Sequence, residues 1–582
     1  MPILPKRAYT KSEAITWPPP NYWDLLALCI IFGIIILLIW GAMQMTAPYD
    51  LGKPIPISLK PSYLPIYALR TVLRMFIALF FSLLFTFIFG TWAAKSKRAE
   101  RIIIPLIDIM QSIPVLSFLS ITIAGFILLF KGSMLGPECA AIFAIFTAQV
   151  WNMALSFYQS VSTVPKDLRE VSKIFQLSSW QGFWRIEVPF AMPGLLWNIM
   201  MSMSGSWFFV TASEAISVAN QNITLPGIGS YIALAIAHAD KAAIFYAIVA
   251  MLMVILFYDQ LLFRPLVQWS ERFKFEEILG EEPSYSWVAD LFRRTQFLRR
   301  IGEVVATGFD SFVNLPLFSR KPVYKKPSPT KCIIRRYSIL ISNLCIFAII
   351  LLSILVLGHF LYRTVNWQDI QQTLRLGLIT GIRVMSLIIL CSIVWIPVGV
   401  WIGFRPRVAQ LVQPLLQFLA AFPANLLYPI ATILIIKYAL NVNIWVSPLM
   451  VLGTQWYILF NVIAGASTIP EDLRQTTDSF AVKGWLRWKR LILPSIFPFF
   501  LTGAITAAGG AWNASIIAEA ISWGNIKLNA DGLGAYITNS STMGNFPHIA
   551  LGTIIMCLFV LVINRVMWRP LYNLAIERFR IE

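Results

Sequence analysis

Residues 25 to 43 read LLALCIIFGIIILLIWGAM, a run without a single charge. At 1.5 Å per residue, a helix of that length crosses the roughly 30 Å hydrocarbon layer of a bilayer. Blocks of this kind recur along the 582 residues. Six lie before residue 265, at 23–45, 67–92, 102–130, 137–158, 192–219 and 242–264. Six more lie at 338–362, 376–403, 412–440, 445–466, 495–523 and 548–568. With 58% hydrophobic and 13% charged residues, no single soluble core buries so much apolar surface. Lys6 and Arg7 precede the first block, but it starts far from the N-terminus and no small-residue cleavage site follows. It reads as a retained helix.

The net charge of +19 is placed as membrane loops place it, which argues against nucleic acid as a partner and for anionic lipid. Lys95, Lys97, Arg98 and Arg101 follow the second block; Lys166, Arg169, Lys173 and Arg185 follow the fourth; Lys6, Arg7 and Lys11 mark the tail. The opposite loops of the same half are poorer, with Lys53, Lys60, Lys131 and Lys241. This bias predicts a multi-pass membrane protein with both termini cytoplasmic. The six cysteines show no CxxC spacing, and His238, His359 and His548 are scattered, so neither a disulfide framework nor a metal site is expected.

The halves repeat. Trp151 and Trp456, Pro165 and Pro470, Pro189 and Pro494, Glu214 and Glu519, Gly229 and Gly534 are pairs 305 apart. Upstream, Arg74 and Arg383, like Pro114 and Pro423, are 309 apart, so a small insertion or deletion lies near the third block. An even number of spans per copy makes the repeat parallel. The expected fold is an all-α integral membrane protein of about 12 helices in two six-helix repeats. The expected domains are 1–265, a cytoplasmic linker 266–337, and 338–582. Within the linker, Trp287, Leu291, Phe292, Leu298, Ile301, Val305, Phe309 and Phe312 recur near helical spacing among arginines. That predicts an amphipathic helix, lying on the membrane or packed on a partner subunit.

The loop after the fourth block is VPKDLREVSKIFQLSSWQGFWRIEVPFAMPG in the first half and IPEDLRQTTDSFAVKGWLRWKRLILPSIFP in the second. Its prolines suit the start of one short helix and the end of another. Here the chain resembles the membrane subunits of binding-protein-dependent ABC importers, whose loop signature is EAA, three residues, Gly, nine residues, then Ile-x-Leu-Pro. Glu170-Val171-Ser172, Gln176 and Ile186 to Pro189 fill these places in one half; Gln475-Thr476-Thr477, Ala481 and Leu491 to Pro494 fill them in the other. Both glycines are replaced, so the turn is expected to be altered or continuous with helix. Ser112-Ile113-Pro114 and Ala421-Phe422-Pro423, Ser213 to Ile216 and Ala518 to Ile521, and Gly227-Ile228-Gly229 and Gly532-Leu533-Gly534 resemble the nitrate, sulfonate and taurine branch.

The resemblance implies a permease that moves a small solute, an anion on the branch resemblance, across a bacterial inner membrane by alternating access. It implies that Glu170, Ser172, Gln176, Ile186, Pro189, Gln475, Thr477, Ala481, Leu491 and Pro494 couple to two copies of a cytoplasmic P-loop ATPase. An external substrate-binding protein is a further implied partner. The chain has no GxxxxGK[ST] sequence, so ATP and Mg are expected on the separate ATPase, and the chain itself is expected not to be an enzyme.

Charges inside spans call for a functional reading. Arg74 is expected to approach Glu214, and Arg383 to approach Glu519, within about 6 Å, as structural pairs or as a gate. Asp108, Gln111, Gln149, Asn152, Trp207, Gln455, Asn461, Trp512 and Asn513 either line a translocation path or bond helix to helix. Asp108 faces only Gln417 at the 309 offset, so such a path is asymmetric. The competing class is an ion-gradient-driven 6+6 transporter. It calls for a GxxxDRxGRR-like run after the second helix, where this chain reads GTWAAKSKRAER.

Overall fold

The computed structural model describes residues 56–218, 221–270, 295–315 and 355–579, with a few isolated positions outside them. The first apolar block, most of the seventh, both chain ends and most of the linker lie outside these residues.

The first half runs through α1 (Pro61–Lys95), α2 (Lys97–Ser112), α3 (Val115–Leu129), α4 (Leu135–Ser162), the short α5 (Lys166–Ile174) and α6 (Val188–Glu214). A hairpin follows, β1 (Ala215–Val218) antiparallel to β2 (Gln221–Thr224), then α7 (Ile228–Ala237) and α8 (Lys241–Ser270). The linker contributes α9 (Gln296–Val313). The second half repeats the order with α10 (Trp367–Gly403), α11 (Pro406–Ala421), α12 (Tyr428–Lys437), α13 (Val442–Val451), α14 (Gln455–Ser467), α15 (Glu471–Ser479) and α16 (Leu493–Ala518). It closes with β3 (Ala520–Trp523) paired to β4 (Ile526–Asn529), α17 (Leu533–Thr542) and α18 (Phe546–Ala575).

The architecture is all-α with two repeats, as the apolar blocks imply, but three blocks differ from single straight spans. Among the described residues six helices are long and apolar enough to cross a membrane, eight if each bent pair counts as one. The third block of each half is broken at its proline. Ile113 (φ −81, ψ 122) and Phe422 (φ −70, ψ 125) are extended, because a proline ring clashes with a helical residue before it. In the second half the two pieces meet at 79°. The block at 445–466 is bent by 44° between α13 and α14, whereas its counterpart α4 is continuous over 28 residues. Gly453 stands at the bend where α4 has Ala148, and glycine weakens a helix interior. The fifth blocks, read as apolar to 219 and 523, stop being helical at Glu214 and Ala518 and turn into the hairpins.

The broken third helices join the halves. Val115, Leu116, Leu119 and Ile123 of α3 belong to the buried core of the second half. Ala421 of α11 and the nearby Leu426 belong to that of the first. Polar bonds follow the same exchange: Asn425 Nδ2 donates to Thr211 Oγ1 at 2.9 Å, and Thr553 Oγ1 donates to the Ser117 carbonyl at 3.1 Å. Inside a membrane such side-chain bonds and close packing replace the hydrophobic drive as the glue between helices.

Candidate functional site: two buried clasps and two exposed loops

Each half builds the same buried clasp from a span, the end of the fifth helix and the turn that opens a short helix. In the first half Arg74 Nη1 donates to Glu214 Oε1 at 2.6 Å, and Thr71 Oγ1 donates to the same oxygen at 2.7 Å. The Gly229 amide donates to Glu214 Oε2 at 2.7 Å, while the Ile228 amide donates to Thr71 Oγ1 at 3.1 Å. The second half copies every bond. Arg383 Nη1 and Thr380 Oγ1 donate to Glu519 Oε1 at 2.6 and 2.9 Å. The Gly534 amide donates to Oε2 at 2.7 Å, and the Leu533 amide to Thr380 Oγ1 at 2.9 Å. Both expected Arg–Glu pairs are thus in direct contact.

The Gly-x-Gly turns are explained by space. A Cβ on Gly227 or Gly532 would collide with the carboxylate of Glu214 or Glu519. A Cβ on Gly229 or Gly534 would collide with the carbonyl of Thr211 or Ser515. Only a bare backbone brings the amide donors close enough to neutralise a carboxylate held away from water.

The clasps differ at their outer rim. In the first half Glu138 of α4 grips Arg74 from the other side, accepting from Nε at 2.6 Å and Nη2 at 2.7 Å. Arg74 Nη2 also donates to the Pro226 carbonyl at 3.0 Å. Arg74, Glu138 and Glu214 are 0%, 1% and 0% exposed. Arg70, buried one turn earlier, acts electrostatically on Arg74 and Glu138 and gives the cluster a second cation. In the second half, Asn443 stands 305 after Glu138 and Asp531 stands 305 after Pro226. These two bond to each other: Asn443 Nδ2 donates to Asp531 Oδ2 at 3.0 Å, and the Asp531 amide donates to Asn443 Oδ1 at 2.7 Å. Arg383 keeps one carboxylate and a 3.3 Å bond to the Asp531 carbonyl. Sequence reasoning missed Glu138, Thr71, Thr380 and Asn443. A charge near the start of an apolar block was the available signal for Glu138, and the 309 offset was the signal for the threonines.

The loops after the fourth blocks each form a short exposed helix. The loop is not absorbed into helix: Gln176 (φ 48) and Ala481 (φ 51) take a left-handed conformation, which the sequence expectation reserves for glycine. The hydrogen bonds show why. The Gln176 and Leu177 amides donate to the Lys173 and Ser172 carbonyls at 3.0 Å each. The Ala481 and Val482 amides donate to the Asp478 and Thr477 carbonyls at 3.0 and 2.9 Å. This is the Schellman pattern, which satisfies the last carbonyls of a helix and offsets the cost of positive φ on a residue with a Cβ. The helix tips are apolar and open: Ile174 is 75%, Phe175 71% and Phe480 77% exposed. Glu170 and Gln475 are exposed, Ser172 and Thr477 partly so, and Leu491 is buried where the loop re-enters the bundle. Ile186, Pro189 and Pro494 are half-buried at the same re-entry.

The linker helix lies on one of these loops. Trp180 Nε1 donates to the Phe312 carbonyl at 3.3 Å, and Gln181 Nε2 and Arg185 Nη2 donate to Asn314 Oδ1 at 3.1 and 3.2 Å. The Trp180 and Phe312 rings are 5.2 Å apart, and Trp184 and Phe309 are 5.5 Å apart. The C-terminal end of α9 therefore packs on this chain's own loop. In the second half Trp485, 305 after Trp180, is 72% exposed.

The remaining candidate path residues split. Gln149, Trp207 and Trp512 are buried in helix packing, Trp207 against Tyr258 and Trp512 against Phe559. Gln111 Nε2 donates to Asn152 Oδ1 at 2.8 Å, an exposed bond between α2 and α4. Gln455 Oε1 accepts from Trp395 Nε1 at 3.0 Å, Asn461 Nδ2 donates to the Tyr457 carbonyl at 2.8 Å, and Asn513 Nδ2 donates to the Gly509 carbonyl at 3.2 Å. The side chain of Asp108 lies outside the described residues.

The family described as binding-protein-dependent transport system inner membrane component matches residues 86–264 and again 395–568. Together the two matches cover more than half of the chain, and each contains one exposed loop. A nitrate import permease of Synechocystis sp. is 29% identical over 112 residues, 19% of this chain and 38% of that protein. A bicarbonate transport system permease of the same organism is 28% identical over 163 residues, 28% of this chain and 55% of that protein. A glycine betaine/carnitine transport permease of Listeria monocytogenes is 29% identical over 177 residues, 30% of this chain and 56% of that protein. The chain spans between 38% and 56% of the length of these relatives.

Proposed function

This chain belongs to the family of binding-protein-dependent transport system inner membrane components, and we propose that its two halves form the permease of one ATP-driven importer. In this reading residues 1–265 and 338–582 are the two permease domains, joined by 266–337. They move a small solute by alternating access, driven by ATPase subunits on separate chains that carry the ATP and Mg. Nitrate and bicarbonate permeases among the relatives favour a small anion as substrate. A betaine permease keeps a zwitterion as the alternative. An external binding protein delivers it.

One observation carries the coupling: two exposed helices, α5 and α15, repeat with the same turn and open apolar tips. Exposed apolar surface of this kind on otherwise charged loops marks a protein contact. Closure of two ATPases against these tips would push both halves at once, and the exchanged third helices would convert that push into rocking of one half against the other. Arg74, Glu214, Arg383 and Glu519 serve as rigid clasps at the far end of the spans.

Purification from membranes with the neighbouring gene products tests the reading. Two P-loop ATPase copies per chain are expected by mass spectrometry, released when Ile174 and Phe480 are both replaced by serine. A stable, transport-competent chain without any ATPase would overturn it.

A further inference from the structure

In the second half α10, α16 and α18 leave between them an apolar groove of about 710 Å³. Ile393 and Ile396 of α10, Phe497 of α16 and Trp568 of α18 line it, and Trp485 and Trp488 stand at the end nearest the second exposed loop. Lys489 and Arg490 follow Trp488 directly, and Arg565 and Arg569 lie within one turn of Trp568. All four cations are exposed, and none has an acidic partner among the described residues. The matching place in the first half is filled. Phe87, 309 before Ile396, packs against Phe157, Phe183 and Trp184 with ring centroids 5.3, 6.4 and 5.8 Å apart. Trp180 is covered there by Phe312.

We propose that the groove is a binding site for one anionic phospholipid of the phosphatidylglycerol kind. One acyl chain lies along Ile393, Ile396 and Phe497, and the phosphate is held by Lys489, Arg490, Arg565 and Arg569. The chemistry divides as an interface does. Indole rings sit at headgroup depth, and long basic side chains reach past apolar surface to the phosphate. A cluster of cations beside spanning helices recognises negative headgroups, at a few-fold in affinity per charge. A zwitterionic lipid offers the same chains to the groove but no net charge to the rim. The inference stands apart from the transport reading, since it needs no ATPase.

Native mass spectrometry on the full chain, delipidated in detergent and titrated with phosphatidylglycerol or phosphatidylcholine, tests it. One phosphatidylglycerol is expected to be retained at least about tenfold more tightly than phosphatidylcholine. The double variant Lys489→Gln, Arg490→Gln is expected to lower phosphatidylglycerol affinity roughly 25-fold and leave phosphatidylcholine unchanged. Met385→Phe with Ile396→Phe, which copies the first half's Phe76 and Phe87, is expected to displace both lipids. Should that variant fail to fold, the charge pair still decides. Equal retention of the two lipids, indifferent to the charge pair, would overturn the proposal. So would a photo-crosslinker at Ile393 that captured residues 338–362 of the chain in place of lipid.

Discussion

The two clasps share their hydrogen bonds and differ in their surroundings. The first is closed: Arg74 is enclosed by two carboxylates, a carbonyl and a second arginine, with no exposed surface. The second is open: the Arg383 side chain is 9% exposed and shares its rim with the solvent-facing Asn443–Asp531 pair. A duplicated scaffold therefore keeps the part that fixes the backbone, the Thr–Glu–Gly bonds, while the charge balance around it diverges. The lesson extends to the other end of the bundle. There the first loop's Trp180 is covered by α9, and the second loop's Trp485 is bare.

The comparison is easiest to break at the arginines. Arg74→Met strands two buried carboxylates and is expected to cost about 3–5 kcal/mol. That would appear as a large fall in melting temperature in detergent or as failure to accumulate in the membrane. Arg383→Met strands one carboxylate that keeps a threonine and backbone amides, and about half that loss is expected. Equal losses would mean that the closed rim adds nothing.

A second test addresses what the halves share. Gly227→Ala and Gly532→Ala each push a methyl into a fixed carboxylate, and a loss of roughly 2–3 kcal/mol is expected in both. A large difference between them would show that the common backbone bonds are not equally tight.

The rim residues sharpen the contrast. Glu138→Asn removes charged hydrogen bonds to a buried arginine and is expected to destabilise by about 1.5–3 kcal/mol. The reverse change, Asn443→Glu, removes the amide that donates to Asp531 and sets a like charge beside it, and at this exposed rim a loss of about 1–1.5 kcal/mol is expected in the same melting assay.

The smallest effect has the opposite sign. Ala481→Gly relieves positive φ at the loss of one exposed methyl, and a gain of up to about 1 kcal/mol is expected. Gln176→Gly is expected to gain no more. Destabilisation at either site would mean that the side chain there holds the turn.

Much of this was legible before any coordinates. The 305 offset located both loops, both glutamates and both Gly-x-Gly turns, and a charge in an apolar block drew attention to Arg74 and Arg383. Two kinds of feature stayed hidden. Thr71 and Thr380 are ordinary helix residues until the carboxylate they bond is brought to them across the bundle. The left-handed turns at Gln176 and Ala481 violated a local rule, because the bonds that close a helix end outweigh the steric cost of a Cβ.

Sequence alone determined residence in a membrane, the duplication and the position of the exposed loops. Those depend on local composition measured against a slab of fixed thickness, and on a register that survives divergence. Tertiary structure decided which charges meet, which third helix enters which core and which loop the linker covers. Those depend on contacts between residues more than a hundred positions apart, such as Arg74 with Glu214 and Ser117 with Thr553. Only the packed bundle sets such distances.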